Sequence, residues 1–457
     1  PLPQTVATGV NFKSCIQEVR RGDHGSKGGT DKHGNPDKHG NPVPNISDAT
    51  GVTYELCVRA CGGAPEPFAW SIFSQQFSSW LLPWLALASQ LPFGTNDKLD
   101  NLLAVLLTVG SPTLAAYSLA LTVLNGRWVA RHFAAHHYPN IRYAVQVLSS
   151  LQQSPLTVTK ADSLLASLVV LPENNGWWKN LVKWLDYTHT HTWSVSAVTS
   201  IAWVVIAYVF TLIDSFTGDP TTSINSHGQG VGSLWLWLLP IVIGWLQISP
   251  RCDSLRLCEA IEHANTLAYV ATSGHPVLAG SESRKRAISL SSFKDDPMRC
   301  DEQCTAPIYN YARFLPWVQV VKDVYDVFHA ASDRAYAHIS VDPQVPWETT
   351  ENSTGPTPKN RRGTRDQVDT HIIHAMGPRS RLPRGTWSKV LIASMIALFL
   401  QWSTTGAAII VVWFTPTSGG EIHYHKSFYA NMIGFFQGLG AGRAHIYYTA
   451  GCPPLAG

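Results

Sequence analysis

Charge is what this 457-residue sequence has least of. Asp, Glu, Lys and Arg make up 14% of it, where a soluble domain carries about 25%. The deficit is concentrated in long windows, which excludes ordinary water-facing helices there. A net charge of +3 is too small to suggest a nucleic-acid partner. The eight cysteines fit no small disulfide scaffold. No Walker loop, dinucleotide glycine fingerprint, Gly-x-Ser-x-Gly elbow or His-Glu-x-x-His helix occurs, and serine, histidine and acids fall at no spacing that identifies a triad. The initiator is lacking too. Residue 1 is Pro, so a fragment is expected, with any secretory signal lost upstream.

What is present is apolar and aromatic. The 17 Trp suit a membrane–water interface, where the ring is buried and its N–H stays wet. A bilayer core needs about 20 predominantly apolar helical residues. Five windows lack Asp, Glu, Lys and Arg for longer than that: Glu66 to Asp97, Asp100 to Arg127, Asp186 to Asp214, Asp219 to Arg251 and Lys389 to Glu421. They predict helices at 73–91, 101–124, 194–213, 232–248 and 390–414. Gln75, Gln76, Ser78 and Ser79 dilute the first, and Pro83 would kink it, so it either spans or lies in the interface. The expected fold is an all-α polytopic bundle of four to five spans, with a cytoplasmic helical region and disordered linkers.

Loop charge orients such a bundle. Arg127, Arg131, Arg142, Lys160, Lys179 and Lys183 follow the second window, and Arg251, Arg284-Lys285-Arg286 and Arg361-Arg362 follow the fourth. The link 214–230 has no Lys or Arg. By the positive-inside rule the basic segments face the cytoplasm and the link faces out. The chain then divides into a polar, loop-rich amino-terminal region (1–67), two membrane segments (68–126), a cytoplasmic helical loop (127–193), a transmembrane hairpin (194–250), a cytoplasmic helical region (251–341), a disordered linker (342–389), a last membrane helix (390–417) and a tail (418–457). Within the cytoplasmic region Leu257, Ile261, Ala264 and Ala268 recur at helical spacing. So do Trp317, Val320, Val324 and Phe328 behind Pro316, a good first helical position. Such stripes are expected against the membrane bundle or on the bilayer surface. The tandem hexapeptide at 31–36 and 37–42 reads as a local duplication in a turn-rich loop.

The run Cys57 to Cys61-Gly62, with Phe68, Trp70 and Phe73, leads into Ser79-Trp80-Leu81-Leu82-Pro83-Trp84. It is followed by Leu107-Thr108-Val109-Gly110-Ser111-Pro112 and Trp235-Leu236-Trp237-Leu238-Leu239-Pro240. Over about residues 57–417 this pattern resembles a family of fungal multi-pass integral membrane proteins. The resemblance implies location and architecture, and no activity, substrate or cofactor.

Three constellations carry chemistry if any does. His132, His136 and His137 follow the second window; on a helix 132 and 136 share a face, like one histidine box of membrane di-iron desaturases. That chemistry needs about eight histidines in several boxes, and only His189/His191 and His371/His374 pair elsewhere. A basic helix touching headgroups is the simpler reading, and no metal or other cofactor is expected. Cys57/Cys61 and Cys300/Cys304 have zinc-pair spacing, while a disulfide of Cys15 with Cys57 or Cys61 in a luminal amino-terminal region competes with it. Gly110-Ser111-Pro112 is expected to break the second helix, either as a discontinuous-helix site or as a packing kink. No span holds an interior acid or base, which argues against a proton-coupled carrier. Ser289, three residues beyond Arg286, is a candidate phosphorylation site.

The tail is expected to be translated out of context. Gly420-Glu421 can encode an intron donor and Phe435-Phe436-Gln437 a pyrimidine tract closing in an acceptor. A shifted frame over 438–457 restores a Gly-Leu-Gly-Cys-Arg-Ser run that the resemblance calls for. Functionally the expectation is a non-enzymatic protein of the plasma membrane or an endomembrane, serving organisation, interaction or lipid contact. Its partners are then the bilayer and other membrane proteins. A transporter or channel without buried charge is the first alternative, and a metal-dependent membrane oxidoreductase the second.

Overall fold

The computed structural model describes residues 70, 74, 77, 81–91, 98–187, 193–217, 236–282, 286–290, 305–349, 355–372, 382–383 and 385–414. They are mostly helical: α1 (Leu82–Ala88), α2 (Lys98–Gly110), α3 (Pro112–Phe133), α4 (Ile141–Ser150), α5 (Leu164–Val170), α6 (Asn175–Tyr187), α7 (Val195–Thr217), α8 (Leu238–Ile248), α9 (Ser254–Asn265), α10 (Asn310–Tyr336), α11 (Arg365–Ile372) and α12 (Thr386–Phe414). Two short antiparallel pairs add β structure that the expectation of an all-α chain did not contain. β1 (Leu156–Val158) pairs with β4 (Ile288–Leu290) in the register Thr157↔Ser289, and β2 (Tyr269–Val270) pairs with β3 (Val277–Leu278).

The chain divides into two compact units. The larger, residues 90–197 and 237–401, has a hydrophobic core drawn from α3, α4, α5, α6, α9, α10 and α11. The two apolar stripes read in the sequence both lie in that core: Leu257, Ile261, Ala264 and Ala268 on and just beyond α9, and Trp317, Val320, Val324 and Phe328 on α10. They pack into one shared core together with α3, so the described parts of 127–193 and 251–341 form one folded body. Pro316 does not open α10. The helix starts at Asn310, behind a 3-10 turn at Pro307–Tyr309, and carries the proline inside. Buried Asn310, Arg313 and Phe314 anchor those first turns, which offsets the lost N–H.

The stretch 342–389 is corrected in part. Residues 355–372 are folded as the turn Lys359–Arg361 and α11. Arg361 is buried, and its guanidinium donates to the carbonyls of Val169, Val170 and Leu171 at 3.3, 2.8 and 3.2 Å. These are the last carbonyls of α5, which lack partners within their own helix, and a cation there also opposes the helix dipole. The Pro, Thr and Gly content that suggests a linker here marks turns between anchored points.

The second apolar window is broken where expected. α2 ends at Gly110 and α3 starts at Pro112, with 104° between them. Ser111 leaves helical geometry and its Oγ accepts from the N–H of Leu114 at 3.4 Å, capping α3. Among the described residues no single helix is long and apolar enough to cross a membrane; the bent pair α2–α3 meets that length and composition. α8 packs on α3 at a close approach, where a side chain at Gly244 would meet Leu119 within 2.5 Å.

α2 and α12 distribute residues the opposite way from α10. Along α12, Lys389, Ala393, Ala397 and Gln401 recur every four residues and are buried, while Trp387, Leu391, Met395 and Phe399 point outward, Phe399 being 76% exposed. On α2, Ala104 and Thr108 are buried and Leu99, Leu102, Leu103 and Leu106 exposed. Thr108 and Ser394 donate their hydroxyls back to their own helix, to Ala104 O at 2.7 Å and Val390 O at 2.9 Å. In the smaller unit, the part of α7 from Val198 onward shows Trp203, Ile206, Val209 and Phe210 on its surface.

Candidate functional site

Four of the described histidines, His132, His136, His137 and His329, come together where the end of α3 meets the last three turns of α10. The helical-box reading of His132, His136 and His137 needs correction first. α3 ends at Phe133, capped by the Ala134 N–H bonding to Arg131 O. Pro139 disfavours helix at the residue before it. His136 and His137 therefore sit in the connection to α4, and the three imidazoles do not share a helix face.

They are nonetheless near one another, each with a different partner. The His132 ring stacks on Trp128 one turn earlier, with centroids 5.1 Å apart, and lies 3.8 Å from the Tyr325 ring of α10. His137 Nδ1 is 3.1 Å from the Tyr336 hydroxyl. His136 Nε2 is 2.9 Å from the Tyr325 hydroxyl. Its ring lies 4.7 Å from that of His329, whose Nδ1 is 2.8 Å from Asp333 Oδ2 one turn further along α10. One ligand atom from each of His136, His329 and Asp333 lies within 4.8 Å of the others. Partial burial, reinforced by His329, holds the His136 pKa below its ordinary value, against the pull of Asp333. A neutral imidazole is the form that can donate a lone pair.

Sequence reasoning missed His329 and Asp333. Their spacing of four on an amphipathic helix was legible, but nothing in the sequence says that the 134–140 connection folds onto that turn. His371 lies apart from this group, buried on α11, where burial first and Arg334 second push its pKa down to about 4. His189, His191 and His374 are outside the described residues, as are Cys15, Cys57, Cys61, Cys300 and Cys304. Of the cysteines that are described, Cys252 is buried, its thiol pushed up to about 12 by that burial, and Cys258 is exposed. A thiol held protonated is a poor ligand and nucleophile.

Ser289 falls in β4, half-buried, and Thr157 Oγ1 lies 3.0 Å from its carbonyl and 2.9 Å from its hydroxyl. A kinase would have to open the β1–β4 pair to reach it. Gly110, Ser111 and Pro112 form the break between α2 and α3, with open space beside Gly110.

Two further features were invisible in the sequence. The Lys389 amine has no hydrogen-bond partner among the described residues and is enclosed by rings, 3.6 Å from the Trp128 centroid and 5.1 Å from that of Phe314. A polar layer also crosses the body between α3 and α10. Thr122 Oγ1 accepts from Gln153 and Asn310 at 3.0 Å each, and Arg313 donates to Ala306 O at 2.8 Å. No protein-family model, curated protein or solved structure matches the chain.

Proposed function

We propose that this is a multi-pass membrane protein without a catalytic role of its own, serving membrane organisation, interaction or lipid contact in the plasma membrane or an endomembrane. One observation carries the reading: the reversed faces of α2 and α12, small or polar residues inward and large apolar residues outward. In water each large side chain so exposed forgoes about 1.5–3 kcal/mol of transfer free energy. In lipid that cost vanishes, and small residues become the natural contact between helices. Hydroxyls bonded back to their own helix, as at Thr108 and Ser394, suit the same surroundings. The helical body built on α3–α6 and α9–α11 then lies on the cytoplasmic side, as the basic segments require.

A transporter or channel-like role draws support from the 104° break at Ser111, since discontinuous helices often line substrate sites. Radiotracer uptake into reconstituted vesicles that is lost with Pro112→Ala would favour that role.

The membrane reading is tested by fractionation and labelling. The protein should resist alkaline carbonate extraction and need detergent for release. An impermeant thiol reagent on intact cells should modify Ser223→Cys, and the sequon at Asn352 should carry no glycan. Recovery in the detergent-free soluble fraction would refute the reading, and a glycan at Asn352 would reverse the orientation.

A further inference from the structure

We propose that His136, His329 and Asp333 form a binding site for a divalent transition-metal ion, held by two imidazoles and one carboxylate. The three ligands come from two elements, which fixes their geometry better than neighbours on one loop. His329 and Asp333 share a face of α10 one turn apart, and His136 is brought over them by the turn that ends α3. Metal–ligand bonds of about 2.0–2.2 Å around a tetrahedral ion place ligand atoms roughly 3.2–3.5 Å apart. The His329–Asp333 separation of 2.8 Å must open by a few tenths of an ångström, and the 4.8 Å limit on the set must close by about one. Both are side-chain rotations.

The surroundings suit an ion as well. The Tyr325 hydroxyl, 2.9 Å from His136 Nε2, can fix that ring's tautomer in the way outer partners orient metal-bound histidines. His329 and Asp333 are partly open to solvent, with side chains 44% and 58% exposed. The ion therefore has a route in, and its remaining positions can carry water. Two imidazoles with one carboxylate favour zinc, iron(II), cobalt(II) or nickel(II) over magnesium and calcium, which take oxygen ligands. His132 and His137 are excluded from the set, the first by its place between Trp128 and Tyr325 and the second by its pairing with Tyr336. A surface His–Asp pair serving only stability would be worth little and would leave the approach of His136 unexplained.

Full-length protein purified through a tag without histidine, stripped with chelator and titrated with Zn2+ by calorimetry, should bind one ion. Co2+ should give the visible absorption of a low-coordinate complex. His329→Gln and Asp333→Asn should each weaken Zn2+ by about 100-fold, whereas His137→Gln should leave it within about threefold. Both ligand substitutions lie on a partly exposed face and should preserve the fold. If either unfolds the protein, the wild type decides alone: Zn2+ at 100 times Kd should raise its stability by about 2.7 kcal/mol against a chelator control. Absent Zn2+ and Co2+ binding, or binding unchanged in the His329→Gln/Asp333→Asn double variant, overturns the site. Membrane fractionation of the same variants is expected to be unaltered, so the proposed location and the metal site fail separately.

Discussion

α10 and α12 are nearly equal in length, 27 and 29 residues, and they solve opposite problems. α10 turns Trp317, Val324 and Phe328 inward and holds Lys322 and Asp326 half-buried beside them, joined at 2.7 Å. α12 turns alanines, a lysine and a glutamine inward and shows Trp387, Leu391 and Phe399 outside. Each is amphipathic at the period of a helix. What differs is which face meets the protein, and in the membrane reading we propose, the outer face of α12 is made for lipid. Hydrophobic content alone does not distinguish these cases; the size of the residues on the inner face does. A helix with small inner residues gains close approach, and one with large inner residues gains transfer free energy.

The comparison can be broken most directly at its two large aromatics. Trp317→Ala removes a ring that is 2% exposed and whose indole donates to Leu148 O at 3.0 Å. It should cost about 3–5 kcal/mol, read as a large fall in thermal midpoint in detergent. Phe399→Asp should leave the helical body intact yet cost about 3 kcal/mol in membrane insertion, read by a translocation reporter. A negligible insertion effect would place α12 in water. Arg361→Met, which takes the donor from the Val169 and Val170 carbonyls while Leu171 keeps the Asn174 N–H, should lose about 2–3 kcal/mol.

A pH experiment sharpens the contrast within the helical body. His371 is buried as the neutral form, with its folded pKa near 4 against about 6.5 in the unfolded chain. Between these values the unfolded chain binds more protons, so stability holds above about 6.5 and falls as pH drops toward 4, by an amount on the order of 2 kcal/mol. His371→Gln should flatten that fall in a thermal-midpoint series. The smallest expected effect is Lys389→Met. It removes a buried amine without a hydrogen-bond partner among the described residues and keeps the stem among the rings. The variant should be about 1 kcal/mol more stable; a clear loss would mean that the cation–π contact with Trp128 outweighs desolvation.

Local pattern reads well in this sequence, and long-range pairing does not. The stripes on α9 and α10 and the break at Gly110-Ser111-Pro112 are periodicity and proline chemistry, and both were legible. Helix starts were not: Pro316 looks like an N1 residue, and only tertiary anchors upstream make it interior. The union of two segments into one core rests on pairs such as Thr157 with Ser289, for which periodicity has no signal. The metal proposal fails as a one-helix motif at His132, His136 and His137, because Pro139 forces the chain out of helix. It reappears as a contact between elements. The folded 355–372 stretch escaped notice because one deeply placed arginine, not an apolar run, holds it.

That arginine also imposes an order of assembly. Arg361 reaches carbonyls 190 to 192 residues earlier in the chain, across α7 and α8. A ribosome adding about 5–20 residues per second needs roughly ten to forty seconds to cover that distance. During that interval the end of α5 waits with its carbonyls open, and β1 waits for β4. The amino-terminal half of the body is thus a nascent intermediate with an unpaired edge, and closing so long a loop is slow.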